Sequence, residues 1–235
     1  MEPIWNRPER AARGPRPAHS RDAVAAAGVR VADTEGVEAV SMRRVAAEPG
    51  AGTASLYRYL TGKDELFDLM VDAVMRAEEP PERTGEWRAD LRALAAGSRA
   101  VMLRHPWLPM LVAARPNLGP GSLRWMESWY GAVDGFGLDA DEMLALVGTV
   151  QIFVHGAVTR ELAEREAGFD FASRMAAQGA YGDAVIAGGA YPTLIRIMVE
   201  AEGPHRPDRH DRAFADGLER VLDGHRSLPG GTSGR

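Results

Sequence analysis

Cysteine is missing from all 235 residues of this chain, so disulfide bonds and thiolate metal sites are excluded outright. Lysine occurs once, at Lys63, against abundant arginine, alanine and glycine, which marks a GC-rich genome and not a physical demand. No run of 18 apolar residues is present and the first residues lack the apolar core of a secretion signal. The expectation is a cytoplasmic chain with no membrane partner. Also missing are the period-two alternation of a strand, an internal repeat, a glycine-rich phosphate loop, a nucleophile–base pair and His-Glu metal spacing. These absences leave an all-α chain for which no cofactor, no metal and no catalytic residue is expected. Its length allows one or two domains with ample chain for a core.

What is present is concentrated in residues 41–63. Arg43, Arg44, Arg58 and Lys63 stand against one acid, Glu48, giving net +3 inside a chain of net −5. Ser41 is placed to cap a helix, with Val40 and Val45 as its hydrophobic staple. Pro49-Gly50-Ala51-Gly52 stops that helix, because proline lacks an amide and glycine permits the dihedrals of a tight turn. At about 100° per residue, Leu56 and Leu60 share the inner face of the next helix. Arg58 then points away from them, with Ala54 and Ser55 beside it and Tyr57 and Tyr59 on the flanks. Two short helices around a glycine-containing turn form the layout of a helix-turn-helix, whose second helix enters the DNA major groove. Thr53, Ser55 and Arg58 are placed for base edges, and an arginine there reads guanine through two hydrogen bonds. The Tyr57 and Tyr59 hydroxyls and Lys63 suit phosphate oxygens, and Lys63 lies at a helix start that also favours an anion. Arg43 stands to touch a phosphate or a base at the edge of the site, and Arg44 beside it completes the DNA-binding set.

Taken alone, such a hairpin is equally a solvated surface, so its neighbours matter. Ser20–Asp33 makes a further helix with Val24, Ala27 and Val31 inward, closed by Glu35-Gly36. Thr61-Gly62-Lys63-Asp64 resembles a capped start for another, whose inner stripe is Leu66, Leu69, Met70, Ala73 and Val74. The expected organisation is an arm at 1–19, a DNA-binding domain at 20–78 with its helix-turn-helix at about 40–59, a second helical domain at 84–226 and a tail at 227–235. The arm holds four arginines, two glutamates and four prolines and is expected to be disordered, as is the glycine-rich tail. Residues 13–17 either lie in an A·T-rich minor groove or form a solvated tail adding non-specific attraction, the second being the simpler expectation. Residues 1–76 hold 11 basic and 11 acidic residues, so the net −5 resides downstream and the DNA face is local.

The rest of the chain reads as helical. Glu79-Pro80-Pro81-Glu82 ends the linking helix, Trp87–Arg104 follows, and His105-Pro106-Trp107 breaks it. Next come Leu108–Ala114, a loop over 116–121, Ser122–Phe136, and a long helix capped by Asp139 that runs to about Glu166. Helices near Asp170–Gly179 and Tyr191–Glu200 precede the last, Asp208–Gly224, with Phe214, Leu218, Val221 and Leu222 on one stripe. Candidates to line an apolar pocket are Trp107, Met110, Trp125, Trp129, Met143, Phe153 and His155. Residues of these types at helical spacing also serve as core, and His155 among Phe153, Val154 and Val158 equally suits a satisfied buried histidine.

Residues 20–76 resemble the DNA-binding domain of the tetracycline-repressor (TetR) family of bacterial transcription regulators. The resemblance rests on Ala32-Asp33-Thr34-Glu35-Gly36, Ser41-Met42-Arg43-Arg44-Val45-Ala46, Leu56-Tyr57-Arg58-Tyr59-Leu60 and Lys63-Asp64-Glu65-Leu66. Pro49 departs from the pattern, standing where the family usually has a packed leucine, which implies an early helix end and a less stable domain. The second half is similar to a TetR-type domain through Arg104-His105-Pro106-Trp107, Gly119-Pro120, Gly137-Leu138-Asp139 and the final Phe214 to Leu222 helix. The resemblance implies a homodimer through a four-helix bundle made by helices at about 141–163 and 208–223 of each subunit. It also implies an effector pocket in each subunit, whose occupancy re-spaces two heads that read successive major grooves about 34–36 Å apart. Where the tetracycline repressor binds a drug–magnesium chelate through a histidine and a glutamate, this chain carries Leu111 and Arg160, which speaks against metal-tetracycline recognition.

The implied function is that of a homodimeric repressor of double-stranded, pseudo-palindromic operator DNA, released by a small apolar effector of unknown identity. The alternative is a constitutive dimeric DNA-binding regulator or activator without an effector. A helical enzyme built on His105 and His155 has no supporting motif, and His205 and His210 lie in a Pro/Arg-rich turn. In a binding selection, Arg58→Ala is expected to cost about 1–3 kcal/mol and to relax base choice at one position per half-site; unchanged sequence preference contradicts that role. Replacing Lys63 should weaken all sites alike and flatten the salt slope by about one unit.

Overall fold

The computed structural model describes residues 3–7, 20–48, 56–57, 59–114, 116–168, 171–202 and 206–225. Among them are ten α-helices and no strand. The head comprises α1 (Arg21–Glu35), α2 (Met42–Ala47) and α3 (Lys63–Ala77); the second domain comprises α4 (Trp87–Arg104), α5 (Leu108–Ala114), α6 (Pro120–Gly131), α7 (Ala140–Glu166), α8 (Phe171–Ala187), α9 (Pro192–Glu200) and α10 (Arg209–Asp223).

Local signals set most of these boundaries. The Ser20 hydroxyl accepts from the Ala23 amide and the Ser41 hydroxyl from the Arg44 amide, each at 3.1 Å, so α1 and α2 begin where a side-chain cap is available. At the start of α7, Asp139 Oδ1 accepts from Glu142 N at 2.8 Å and Glu142 Oε2 from Asp139 N at 2.9 Å, a reciprocal capping box. Two expectations are corrected. The helix expected at Ser122–Phe136 is Pro120–Gly131, because a proline at the first helical position starts a helix instead of breaking it. The helix expected near Asp170–Gly179 continues to Ala187, with a kink at Gly179. At the start of α3 Gly62 is the capping residue, and the Thr61 amide donates to Glu65 Oε2 at 2.7 Å.

The head core is built as the apolar pattern predicts. Val24, Ala27, Val31, Val45, Leu56, Leu60, Leu66, Leu69, Met70 and Val74 are buried, and Ala73 is half-buried. Helix α3 lies against α1 at Gly28, where an added Cβ would come within 2.9 Å of Met70 Cγ. The arm departs from expectation at its start. Ile4 to Asn6 form a 3-10 turn with Ile4 buried, and Arg21 donates to the Ile4 and Arg7 carbonyls at 3.0 and 2.8 Å. One isoleucine with an arginine clamp is enough to dock residues 3–7 on the head; residues 8–19 and the tail from 226 on lie outside the described residues.

Helix α7 is the spine of the second domain, packed on α4 and α10. By length and composition alone it is the one described helix that could cross a membrane, with a best-window mean hydropathy of 1.4. It also buries Glu161, whose carboxylate holds Arg99 at 2.7 Å and Arg165 at 2.5 Å, a charged triad that suits a helix packed against protein. Arg99 reaches on to Asp211 at 2.7 Å, tying α4, α7 and α10 together.

Head and second domain meet through α3 and α6, each of which caps the other. Asp72 on α3 is 1% exposed, and its Oδ1 accepts from the Gly121 and Ser122 amides at 2.8 and 3.3 Å in the first turn of α6. Arg124 on α6 donates in return to the Met75, Arg76 and Glu78 carbonyls at 3.1–3.2 Å, at the C-terminus of α3. The approach is close enough to demand glycine at 121, where a Cβ would lie 2.7 Å from the Arg76 backbone nitrogen. Asp72→Ala strips two buried amides of their acceptor and should lower unfolding free energy by roughly 2–3 kcal/mol in urea titrations, with Asp72→Asn losing less. A loss near zero would show that the carboxylate does not hold this junction.

Candidate DNA interface and ligand cavity

The helix-turn-helix is described on both sides of its turn. Leu56 and Leu60 are buried, and the Leu60 amide donates to the Leu56 carbonyl at 3.0 Å, so the second helix has its leucines against the core. Tyr57 is 58% exposed, whereas Tyr59 is half-buried and packed on the core. Thr53, Ser55 and Arg58, together with Pro49, lie outside the described residues. Helix α2 ends at Ala47, before Pro49.

Four cationic residues were assigned to this face. Arg43 is exposed in the first turn of α2. Arg44 is engaged inside the head: its guanidinium reaches Glu35 at 2.5 Å and Glu48 at 2.9 Å, joining the end of α1 to α2. Those hydrogen bonds pull both carboxyls below the ordinary carboxylate range. Lys63 is exposed at the first position of α3, its ammonium 5.1 Å from the centre of the Phe67 ring.

A cavity of about 380 Å³ lies between α3, α4, α5, α6 and α7. Trp125, Trp129 and His155 line it. The other four expected residues are elsewhere. Trp107 donates through Nε1 to Asp33 Oδ1 at 2.6 Å, next to His105, whose Nδ1 meets the same oxygen at 2.8 Å. This pins the end of α1 to the corner between α4 and α5. Met110 is 52% exposed, Met143 is half-buried on the core, and Phe153 packs on Phe214 with ring centres 5.6 Å apart. Sequence reasoning missed Asn117, Ser122, Tyr130 and Gln151 as lining residues, along with Met75, Met102 and Met126. Gln151 was within reach, since it precedes His155 by four positions and shares its helix face. Asn117 was not, because it lies in a loop: its Nδ2 donates to the Asp68 carbonyl at 2.8 Å, and its Oδ1 accepts from Ser122 Oγ at 3.0 Å.

His155 Nε2 is buried with no hydrogen-bond partner among the described residues, and burial pushes the imidazole below its ordinary value of 6.5. Below pH 6.5 the unfolded chain takes up a proton here that the folded chain resists, so stability falls as pH drops towards the lower folded value. Comparing urea unfolding at pH 7.5 and 5.5, His155→Leu should lose less stability than the unaltered protein. An identical loss in both would place the imidazole in water.

Comparison with known proteins agrees with this arrangement. The family model for "Bacterial regulatory proteins, tetR family" matches residues 24–70, and that for "Tetracyclin repressor-like, C-terminal domain" matches residues 79–228. The chain is 40% identical over 230 residues to the HTH-type transcriptional repressor DrrR1 of Streptomyces coeruleorubidus, covering 95% of this chain and 83% of that protein. It is 36% identical over 159 residues to an HTH-type transcriptional regulator of Saccharopolyspora erythraea, covering 67% of each. Among solved structures it is similar to the TetR family protein ActR of Streptomyces coelicolor in complex with actinorhodin, with TM-score 0.72, 26% identity, and coverage of 88% of this chain and 94% of that one. With a head, a linking helix and a hollow second domain all matched along its length, the chain belongs to the TetR family of transcriptional regulators.

Proposed function

We propose that this regulator is a homodimeric repressor whose operator affinity is lowered by a small molecule bound in the α3–α7 cavity. The observation that carries the reading is that one helix serves both halves: α3 packs Leu66 and Met70 into the head and presents Val71 and Met75 to the cavity. A ligand that binds better when α3 is tilted away from its DNA-reading position lowers operator affinity by that difference in binding free energy. The structure of ActR, a similar fold, in complex with actinorhodin supports a ligand-binding regulator.

In this reading Arg58, with Thr53 and Ser55, faces base edges, while Arg43, Tyr57 and Lys63 hold phosphates on either side. Arg44 and Tyr59 steady the two helices from within the head. Dimerisation runs through α7 and α10. Leu144 and Ile152 on α7 are 55% and 74% exposed, and further exposed apolar residues (Tyr181, Leu194, Ile197, Val199) occupy α8 and α9. Large apolar side chains left exposed on these helices are what a second copy would cover.

Electrophoretic shift of the protein with DNA upstream of its own gene and its neighbours, repeated with added small molecules, tests the whole reading. Retarded complexes that dissolve on adding a compound support it; DNA binding indifferent to every compound that stabilises the protein favours constitutive regulation. Ile152→Asp should convert the protein to monomers in sedimentation and weaken full-operator binding by roughly 10²–10⁴, the avidity lost when two heads act separately. Monomers that bind the full operator undiminished would contradict it.

A further inference from the structure

The cavity wall is divided by chemistry. Ser122, Trp125, Met126 and Trp129 share one stripe of α6 and face the cavity, while Gln151, Val154 and His155 face it from α7. Trp125 has its indole N–H fixed to the Glu78 carbonyl at 3.1 Å, so it offers the cavity a ring and not a donor. Among the described residues, none that lines the cavity carries a formal charge: the polar ones are serine, asparagine, glutamine, tyrosine and a histidine whose burial favours the neutral form. A carboxylate or ammonium against that wall would lose part of its hydration and find no counter-charge among the described lining residues. The aromatic stripe and adaptable methionines instead suit a flat, polarisable ring system, and 380 Å³ is within the range of small-molecule sites. His155 belongs to this wall, and its Nε2 is buried and unpartnered among the described residues, which leaves it one hydrogen bond to make.

Resting on the reading of this cavity as the effector site, we infer that it selects an uncharged, flat aromatic compound that places a hydroxyl group against His155 Nε2. The rings lie along the Trp125–Trp129 stripe, and the oxygen lies on the α7 side beside Gln151. On this inference, effectors that act through a bound metal ion or an ionised group on the rings are disfavoured.

Three compounds with one ring system test it: 6-hydroxyflavone, flavone and flavone-6-carboxylate, titrated calorimetrically into the full-length protein. The hydroxyl compound should bind about tenfold tighter than flavone, and the carboxylate about a hundredfold weaker than the hydroxyl compound. In His155→Leu the preference for the hydroxyl should vanish while flavone affinity is retained. A Trp129→Phe variant should bind the hydroxyl compound with its preference over flavone intact. The inference is overturned if the carboxylate binds the unaltered protein as tightly as the hydroxyl compound, if the hydroxyl preference survives His155→Leu, or if none of the three binds. Operator release separates this from the broader reading. Flavone binding in the predicted order without release sinks the effector role and keeps the ligand class; release by a charged compound that competes for the cavity keeps the effector role and sinks the ligand class.

Discussion

Two helix ends that satisfy each other hold this molecule in one piece. The first amides of α6 and the last carbonyls of α3 are orphans of their own helices, and each set finds its partner on the other helix, through Asp72 and Arg124. Because the partners are charged and the Asp72 side is buried, opening the junction breaks several charge-assisted hydrogen bonds at once. Arg76 extends the connection, bonding Asp72 at 3.0 Å and Asp22 of α1 at 2.6 Å. The cavity begins one turn away, at Ser122 and Trp125. A ligand on that wall therefore presses on the same few side chains that fix the linking helix to the rest of the protein.

A second tie runs in parallel. Asp33, at the end of α1, accepts from Trp107 and meets His105, so the head is held at both α1 and α3. These two points fix the head to the second domain through different helices. Within the head, Arg44 ties α2 to the end of α1 through Glu35.

Much of this was legible in the residues, and what was not has physical reasons. Ser20, Ser41 and Asp139 announce their helices because a cap acts within four residues, a range that sequence displays directly. Leu56 and Leu60 announce the reading helix because burial at i and i+4 has no other economical explanation. Asp72 and Arg124 gave no such signal. A charged residue on a helix reads as solvated, and only the tertiary approach of α6 turns this one inward. Trp107 failed as a pocket residue for a related reason: its indole N–H is drawn to Asp33, 74 positions away in sequence. Ile4 was overlooked because its proline- and arginine-rich surroundings set the average character of the arm, while docking depends on single side chains. Cavity-lining loop residues such as Asn117 carry no periodicity at all.

The central claim is that the head and the ligand cavity are joined through the Asp72 junction and respond together. Residue-resolved hydrogen exchange with and without operator DNA measures this without needing an effector. Coupling between sites is reciprocal, so DNA held at the reading helix should slow exchange of the Gly121 and Ser122 amides, which the duplex does not touch. Protection confined to the head, with those two amides exchanging as fast as before, would contradict the account.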